Sequence, residues 1–248
     1  MQAEHRKPRC IIVTGRPGSG KTTLSKKIGA CLWMPVLSRD EIKEGYVNTH
    51  GVRHDQLPKE ANRLVTDLFF DLAHRYLEGG VSIVLEAAFQ HRIWESQMTR
   101  IEEMSSPSIV VCTVSAALAA ERHLQRGLAD PRREFFHSDA RVAAFRETGT
   151  VLPPGDYQAP SFDVPTMRVS TEDGYCPGID SIVDWIRVQL LHRRQSTTVH
   201  ESSRSAHCRS SYANMALSSP DHHMLGRALN SDHWKTAISR LVWITESL

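Results

Sequence analysis

The segment Gly15–Thr22 constrains the fold of this chain more than any other part of the sequence. Its residues, Gly-Arg-Pro-Gly-Ser-Gly-Lys-Thr, match the pattern G-x-x-x-x-G-K-[ST] at every fixed position. A β-branched apolar run, Cys10–Thr14, precedes it, and helical apolar spacing at Leu24 and Ile28 follows. Strand, glycine-rich turn and helix in this order form a phosphate-binding loop, in which backbone N–H groups and the helix N-terminus surround phosphate oxygens. An accidental Gly/Ser turn with an exposed lysine is disfavoured, because both flanks are those that the loop requires.

The loop predicts a bound nucleoside triphosphate with its magnesium ion. We expect Lys21 to reach the β- and γ-phosphates and the Thr22 hydroxyl to hold Mg²⁺. ATP is favoured over GTP, because no Asn-Lys-x-Asp element follows a strand. The predicted phosphate-binding residues are Gly15, Arg16, Pro17, Gly18, Ser19, Gly20, Lys21, Thr22 and Thr23.

Composition excludes several classes of protein. Lys and Arg number 30 against 28 Asp and Glu, so the net charge of +2 gives no global reason to expect nucleic-acid binding. Five cysteines occur without a C-x-x-C pair, which disfavours a structural zinc site. Three of them lie in apolar runs, which predicts reduced, buried thiols. The sequence has no signal-peptide pattern and no apolar stretch long enough to span a membrane, so we expect a cytoplasmic protein that does not associate with membranes.

Short apolar runs alternate with segments of helical period, which predicts an α/β fold with a parallel sheet. We expect a three-layer P-loop NTPase fold with five parallel strands, helices on both faces and an arginine-rich lid. A helix from Pro58 to Gly80 is predicted, with Ala61, Leu64, Val65, Leu68, Leu72 and Leu77 on its core face. This domain is predicted to span residues 9–194. Residues 195–248 are Ser/His-rich with a weakly helical end, and are expected to form a linker and tail.

Two acidic residues follow predicted strands, at the sheet edge where open α/β folds bind ligands. Asp40 comes just after the second strand and could accept the proton of an attacking hydroxyl. It could equally cap the helix beginning at Glu41, since Asp is a favoured N-cap residue. Glu86 ends the third strand, which favours a role in holding Mg²⁺, directly or through water, or in facing substrate.

Basic and amide side chains near these acids are candidate substrate contacts. Arg39 could hold an anionic substrate beside Asp40. Gln90 and Arg92 lie in the loop after the third strand, and His91 between them could instead be merely solvated.

The densest arginine cluster lies after the fourth strand. Arg122 and Arg126 share a helix face at positions i and i+4. Together with Arg132 and Arg133 they are expected to form a lid that brings positive charge onto the transferring phosphate. The alternative, a solvated basic surface, applies most to Arg132 and Arg133.

With these residues the chain resembles the P-loop kinases often labelled AAA family ATP-binding proteins. These are similar to polynucleotide 5′-hydroxyl kinase domains, chloramphenicol phosphotransferase and zeta-toxin-like kinases. The resemblance covers about residues 9–193 and rests on the motifs Gly15–Thr22, Ser38–Ile42, the strand ending at Glu86, Glu121–Arg126 and Val169–Gly178. It implies that Asp40 is the acceptor base and that Arg122 or Arg126 is a lid arginine. It does not extend to the tail.

These features favour an ATP-dependent kinase that phosphorylates a hydroxyl of a small molecule, with Lys21, Asp40, Arg122 and Arg126 as catalytic residues. A polynucleotide 5′-hydroxyl kinase is an alternative, for which Arg39, Lys43, Arg53 and Arg92 could supply a basic groove; the near-neutral charge argues against it. An ATP-binding switch with slow hydrolysis and a non-catalytic remnant are two further alternatives. Neither the acceptor nor the oligomeric state follows from the sequence.

Overall fold

A computed structural model describes residues 6–137, 140–153 and 155–189 of the chain. The strands are β1 (Arg9–Gly15), β2 (Val36–Ser38), β3 (Ile83–Glu86), β4 (Ser106–Thr113) and β5 (Thr166–Ser170). The helices are α1 (Lys21–Leu32), α2 (Arg39–His50), α3 (Ala61–Glu78), α4 (His91–Met104), α5 (Ala116–Ala129), α6 (Arg132–His137), α7 (Ala140–Thr148) and α8 (179–189), with a 3₁₀ turn at His54–Gln56. The predicted linker and tail, 195–248, lie outside the described residues, so the boundary near 194 stays a prediction.

The five strands form one parallel sheet in the order β2-β3-β1-β4-β5. Strand residues alternate between two cores, as the period of two requires. On one face, Cys10 and Ile12 of β1 pack with α3 and α4. On the other, Ile11 and Val13 pack with α1 and α8. The predicted α/β fold with helices on both faces is confirmed.

Helix α3 departs from its prediction in both its start and its face. It begins at Ala61 rather than Pro58. Leu64 and Leu68, predicted in the core, are 47% and 44% exposed. The buried face instead carries Phe69 and Phe70, whose rings join Phe89 and Trp94 in an aromatic cluster with centroids 5.1–6.3 Å apart. The two large rings exclude more apolar area from water than the leucines would, and so set the rotation of the helix.

The cysteines divide between the core and the surface. Cys10 and Cys112 are buried, whereas Cys31 and Cys176 are exposed. Burial raises the pKa of each buried thiol to about 12, so neither is reactive at neutral pH. The expectation of three buried thiols therefore fits Cys10 and Cys112 among the described cysteines. Within the described ranges, no helix combines the length and apolar character needed to cross a membrane.

Candidate active site

The phosphate loop connects the end of β1 to the start of α1, as predicted. Gly18 has φ 87° and Gly20 has φ 77°, in the left-handed region that favours glycine. A Cβ at Gly18 would also overlap the backbone carbonyl of Ala119, so α5 packs directly against the loop. Helix α1 begins at Lys21, and the N–H groups of its first turn have no intrahelical acceptor. The loop therefore presents a helix N-terminus to the cavity in front of it.

Glu86 is the centre of a buried polar network at the edge of the sheet. Its side chain is 1% exposed and lies 3.5 Å from Lys21 Nζ, measured from Oε1. Thr22 Oγ1 donates to Oε1 at 3.3 Å, and Ser38 Oγ donates to Oε2 at 2.6 Å. The parallel register, which sets Ser38 beside Glu86 on β2 and β3, brings these groups together. The sequence did not indicate Ser38, because the register of β2 could not be read from it.

Thr22 and Glu86, the residues predicted to hold Mg²⁺, are thus hydrogen-bonded to each other. A hydroxyl and a carboxylate are oxygen ligands of the kind that Mg²⁺ prefers. The described residues contain no cluster of three or more His, Cys, Asp or Glu that could hold a metal ion.

Asp40 lies in the first turn of α2, whose N-cap is Ser38. The alternative that Asp40 caps this helix is therefore wrong. The hydroxyl of Ser38 does not cap the helix either, because it donates to Glu86. Asp40 instead lines the cavity, with its side chain 49% exposed.

The pKa of Asp40 lies below its ordinary value. Burial acts to raise it, but the positive charges of Lys21, His137, Arg39 and Lys43 outweigh the burial. Asp40 is therefore ionised at neutral pH.

A cavity of about 750 Å³ lies in front of the phosphate loop. Lys21, Thr22 and Asp40 line its floor. The opposite wall carries nitrogen-bearing side chains from α5, α6 and α7: His123, Arg126, Arg133, His137 and Arg141. His137 Nε2 lies 2.8 Å from Glu44 Oε1, which joins α6 to α2. The arginines predicted to form a lid lie on α5 and α6, and α6 is helical where the sequence showed no helical signal. The lid itself stays a prediction.

The predicted lid arginines occupy different positions. Arg126 and Arg133 line the cavity. Arg122 donates to the backbone carbonyls of Thr171 and Glu172 at 2.8 and 2.7 Å, so it holds the loop after β5. Thr171 in turn donates to the Ser19 carbonyl at 2.8 Å, which supports the phosphate loop from behind. The structure gives Arg122 this supporting position rather than the catalytic one predicted for it.

Arg132 differs from Arg133, its neighbour in sequence. Its side chain is 84% exposed and pairs with Asp130 at 2.9 Å. For Arg132, the solvated alternative is the one that the structure shows.

The residues Gln90–Arg92 lie at the start of α4. The Gln90 amide donates to the Asp156 carbonyl at 2.8 Å and accepts from the Gln158 N–H at 2.7 Å. His91 Nδ1 accepts from the Ser161 N–H at 3.2 Å. Gln90 and His91 thus hold the loop between α7 and β5, and Gln90 is not presented to a substrate as predicted. Arg92 is exposed and is not among the residues that line the cavities near Asp40.

Tyr157, which the sequence did not single out, ties the same loop to β1. Its hydroxyl lies 2.9 Å from Thr14 Oγ1, and Thr14 donates to the Ala87 carbonyl at 2.8 Å. Thr14 has a single hydroxyl proton, so Tyr157 is the donor of the pair. No local pattern could have found this contact, because the two residues are 143 positions apart.

A second cavity, of about 480 Å³, opens on the other side of Asp40. It is lined by Arg39, Asp40, Asn62, Arg63, Thr66, Ala88, Phe89 and Ile93. Asp40 lines both cavities and so lies between the phosphate loop and this groove. Arg39, predicted as a substrate contact, lines the groove beside it.

Three features define the fold of a P-loop kinase: the sheet order, the glycine-rich loop after β1, and the contacts of the loop's lysine and threonine with an acid that ends a strand. The chain belongs to the AAA domain family AAA_33, whose model matches residues 10–150. A candidate kinase from Chloroflexus aurantiacus J-10-fl is 25% identical, with a TM-score of 0.62, over 74% of this chain and 99% of that one.

Two further structures are more distant. An APS kinase from Mycobacterium tuberculosis, in complex with AMPPNP and APS, is 14% identical over 75% of this chain and 98% of that one, with a TM-score of 0.49. A gluconokinase from Sinorhizobium meliloti is 16% identical over 79% and 98%, with a TM-score of 0.44. No curated protein matches the chain.

Proposed function

We propose that this protein is an ATP-dependent kinase that transfers the γ-phosphoryl group to a hydroxyl of a small molecule. The observation that carries the proposal is the position of Asp40, which lines both the cavity in front of the phosphate loop and the groove beside it. A hydroxyl in the groove and a γ-phosphate in the cavity would meet at this carboxylate.

The residues on the floor of the cavity supply the nucleotide site. The first-turn N–H groups of α1 and Lys21 bind the phosphates, and Thr22 and Glu86 hold the magnesium ion, which neutralises phosphate charge when bound. Lys21 pairs with Glu86 at 3.5 Å and would gain the phosphates as further partners when ATP binds.

Asp40 acts on the acceptor. Because it is ionised at neutral pH, it accepts a hydrogen bond from the acceptor hydroxyl and takes its proton as the new oxygen–phosphorus bond forms. The bond between the γ-phosphorus and the ADP oxygen breaks, and ADP leaves with that electron pair. Arg126 and Arg133 place positive charge against the transferring group from the opposite wall.

The test is ATP consumption against a panel of nucleosides, sugars, aminoglycosides, chloramphenicol-like alcohols and a 5′-hydroxyl oligonucleotide. A kinase of small molecules shows consumption that rises with one class of acceptor and a phosphorylated product by mass spectrometry. A rise with the oligonucleotide alone would instead favour the polynucleotide kinase. Slow hydrolysis that no acceptor stimulates would favour the switch.

Substitutions separate binding from transfer. Lys21→Ala should abolish tight ATP binding, whereas Asp40→Asn should keep ATP affinity and lower transfer by roughly 10²–10⁴-fold. Glu41→Gln is the matched control, because Glu41 is the next acid on α2, also lines the cavity, and pairs with Lys26 at the surface. Near-wild-type transfer by Asp40→Asn to an acceptor that stimulates the enzyme would show that the base is assigned wrongly.

A further inference from the structure

The groove beside Asp40 combines an apolar floor with a cationic rim. Phe89, which is 8% exposed, belongs to the aromatic cluster of the core and lines the groove with Ala88 and Ile93. Arg39 lies at one side, on α2, and Arg63 lies at the other, on α3. Among the described residues that line the groove, Asp40 is the one carboxylate.

The guanidinium of Arg39 is incompletely paired. Its Nη1 lies 3.7 Å from Asp40 Oδ1, and its Nη2 donates to the Asn62 carbonyl and Oδ1 at 3.3 and 3.2 Å, which are long contacts. Its Nε is buried and has no hydrogen-bond partner within the described part of the chain. The side chain is 14% exposed, so water replaces few of the missing contacts. A buried guanidinium held in this way is stabilised by an anion that accepts its N–H groups in pairs.

Lys43 adds a second positive charge on the same face of α2, one turn after Arg39. It is 9% exposed. Burial, followed by repulsion from Arg39, lowers its pKa to about 8, and Asp40 only partly opposes this shift. His54, on the neighbouring turn, is affected in the same direction: burial and then the charge of Lys43 lower its pKa. The field around Asp40 is therefore positive.

The other acids of α2 do not neutralise this field. Glu41 pairs with Lys26 at 2.8 Å, and Glu44 pairs with His137 at 2.8 Å. Two buried cations, Arg39 and Lys43, thus share one carboxylate. A ligand with a negative charge would neutralise the excess positive charge of these buried side chains and so stabilise them.

We infer that the groove is the acceptor subsite, and that it takes a small hydroxylated molecule with an anionic group, a carboxylate or a phosphate, beside an apolar or aromatic face. This inference rests on the proposed kinase function. The anion lies between Arg39 and Arg63, the apolar face packs on Phe89 and Ile93, and the hydroxyl reaches Asp40. Polycationic acceptors such as aminoglycosides are excluded, because they would add positive charge to the positive field.

The test measures binding with a matched pair of alcohols, 4-(hydroxymethyl)benzoate and 4-(hydroxymethyl)benzamide, which differ in charge but hardly in shape. Isothermal titration of the full chain, loaded with a non-hydrolysable ATP analogue, should show the benzoate binding at least about tenfold more tightly, since a charge-assisted contact is worth more than a neutral one. A third probe, 4-(hydroxymethyl)phenyl phosphate, distinguishes a phosphate-selective site from a carboxylate-selective one.

Two arginine variants locate the subsite. Arg63→Gln and Arg39→Gln should each remove most of the preference for the anion, while Arg75→Gln, which changes an exposed arginine further along α3, should keep it. Arg63 is exposed, so its variant keeps the test valid even if Arg39→Gln fails to fold. Equal affinity for benzoate and benzamide, failure of both anionic probes to bind, or a preference unchanged in Arg63→Gln would each overturn the inference.

The outcome is separable from that of the proposed function. Anion-selective binding without phosphoryl transfer to any acceptor would leave the subsite standing and remove the kinase. Phosphoryl transfer to an acceptor without any preference for an anion would support the kinase function and overturn the anionic subsite.

Discussion

The phosphate loop and the first turns of α2 both place buried charges at the same edge of the sheet, but they treat those charges differently. At the phosphate loop, Lys21 faces Glu86, and Glu86 also accepts from Thr22 and Ser38. On α2, Arg39 lies 3.7 Å from Asp40, and Lys43 interacts with the same carboxylate through its charge. The charges at the phosphate loop are therefore neutralised by partners within the chain. The two positive charges on α2 are neutralised only in part.

This difference assigns different tasks to the two regions. The network of Lys21 and Glu86 is held by contacts within the chain, and under the proposed function the phosphates of ATP would add a further anionic partner for Lys21. Arg39 and Lys43 on α2 carry more positive charge than Asp40 neutralises, so an anionic ligand would be attracted to this region. Under the proposed function, the network around Glu86 would preorganise the nucleotide site, and the net positive charge on α2 would favour an anionic acceptor.

The largest effect is expected from unbalancing the phosphate-loop group. Glu86→Gln keeps one oxygen acceptor in place of the two that serve Thr22 and Ser38, and it leaves Lys21 without its anion, so the free energy of unfolding should fall by about 3 kcal/mol. Urea denaturation without nucleotide measures it. ATP in the presence of EDTA should restore part of the loss, because its phosphates give Lys21 a new partner.

The control for this variant is Glu78→Gln. Glu78 pairs with Arg100 at 3.0 Å, and both side chains are more than half exposed, so the change should stay within about 1 kcal/mol. If the two variants lose the same free energy of unfolding, burial does not make the Lys21–Glu86 pair more important for stability than an exposed ion pair.

The second-largest change in stability is expected from removing one of the two buried positive charges on α2. Lys43→Met replaces a buried cation with an apolar side chain and should raise the free energy of unfolding at pH 7 by roughly 2 kcal/mol. The folded-state pKa of Lys43, about 8, lies below its ordinary value of 10.5. Between these values the unfolded chain binds more protons, so wild-type stability rises with pH and the advantage of Lys43→Met shrinks.

Chemical denaturation at pH 7, 8.5 and 10 checks this trend. Lys59→Met, at an exposed position, serves as the control and should be neutral at every pH. If the gain in free energy of unfolding from Lys43→Met stays constant from pH 7 to 10, the charge of Lys43 does not destabilise the folded protein.

The sequence predicted the balanced region better than the unbalanced one. The apolar run of β1, the glycine pattern and the start of α1 are local signals that identify Lys21 and Thr22. Glu86 was predicted from another local signal, its position at the end of the third apolar strand. The parallel sheet of five strands was predicted from the alternation of apolar runs and helical segments, and it is confirmed.

The misses share a physical cause, which is contact at long sequence separation. Gln90, predicted as a substrate contact, accepts from the Gln158 N–H, 68 positions away. Arg122, predicted as a catalytic lid arginine, donates to the Thr171 carbonyl, 49 positions away. On α3, the placement of Leu64 and Leu68 in the core was wrong, because helical period alone did not distinguish them from Phe69 and Phe70. Ala61, Val65 and Leu77 of the predicted face are buried. Lys43 was proposed only as part of a basic groove, since its burial depends on tertiary packing.

The third effect tests the hydrogen bonds of the balanced network rather than its charge. Ser38→Ala removes the 2.6 Å donation to Glu86 and leaves Lys21 and Thr22 in place, so we expect a loss of about 1.5 kcal/mol, within the range for bonds to charged groups. Thermal unfolding measures this loss. Ser96→Ala, which removes an exposed hydroxyl, is the control and should cost less than half as much. A loss as large as that of Glu86→Gln would imply that the hydroxyl, and not the ion pair, dominates the network.

The smallest effect is expected where a neutral hydrogen bond extends the balanced region. Burial raises the pKa of Tyr157, so its hydroxyl stays protonated and donates to Thr14 at the base of the phosphate loop. Tyr157→Phe leaves the Thr14 donation to Ala87 intact, and the free energy of unfolding should fall by about 1 kcal/mol, with ATP affinity nearly unchanged. Urea denaturation and nucleotide titration measure the two quantities, with Tyr76→Phe, at a 38% exposed position, as the control. If Tyr157→Phe instead weakens ATP binding tenfold or more, the loop between α7 and β5 positions the phosphate loop. In that case Tyr157, a neutral residue, contributes to the position of Lys21 and Glu86.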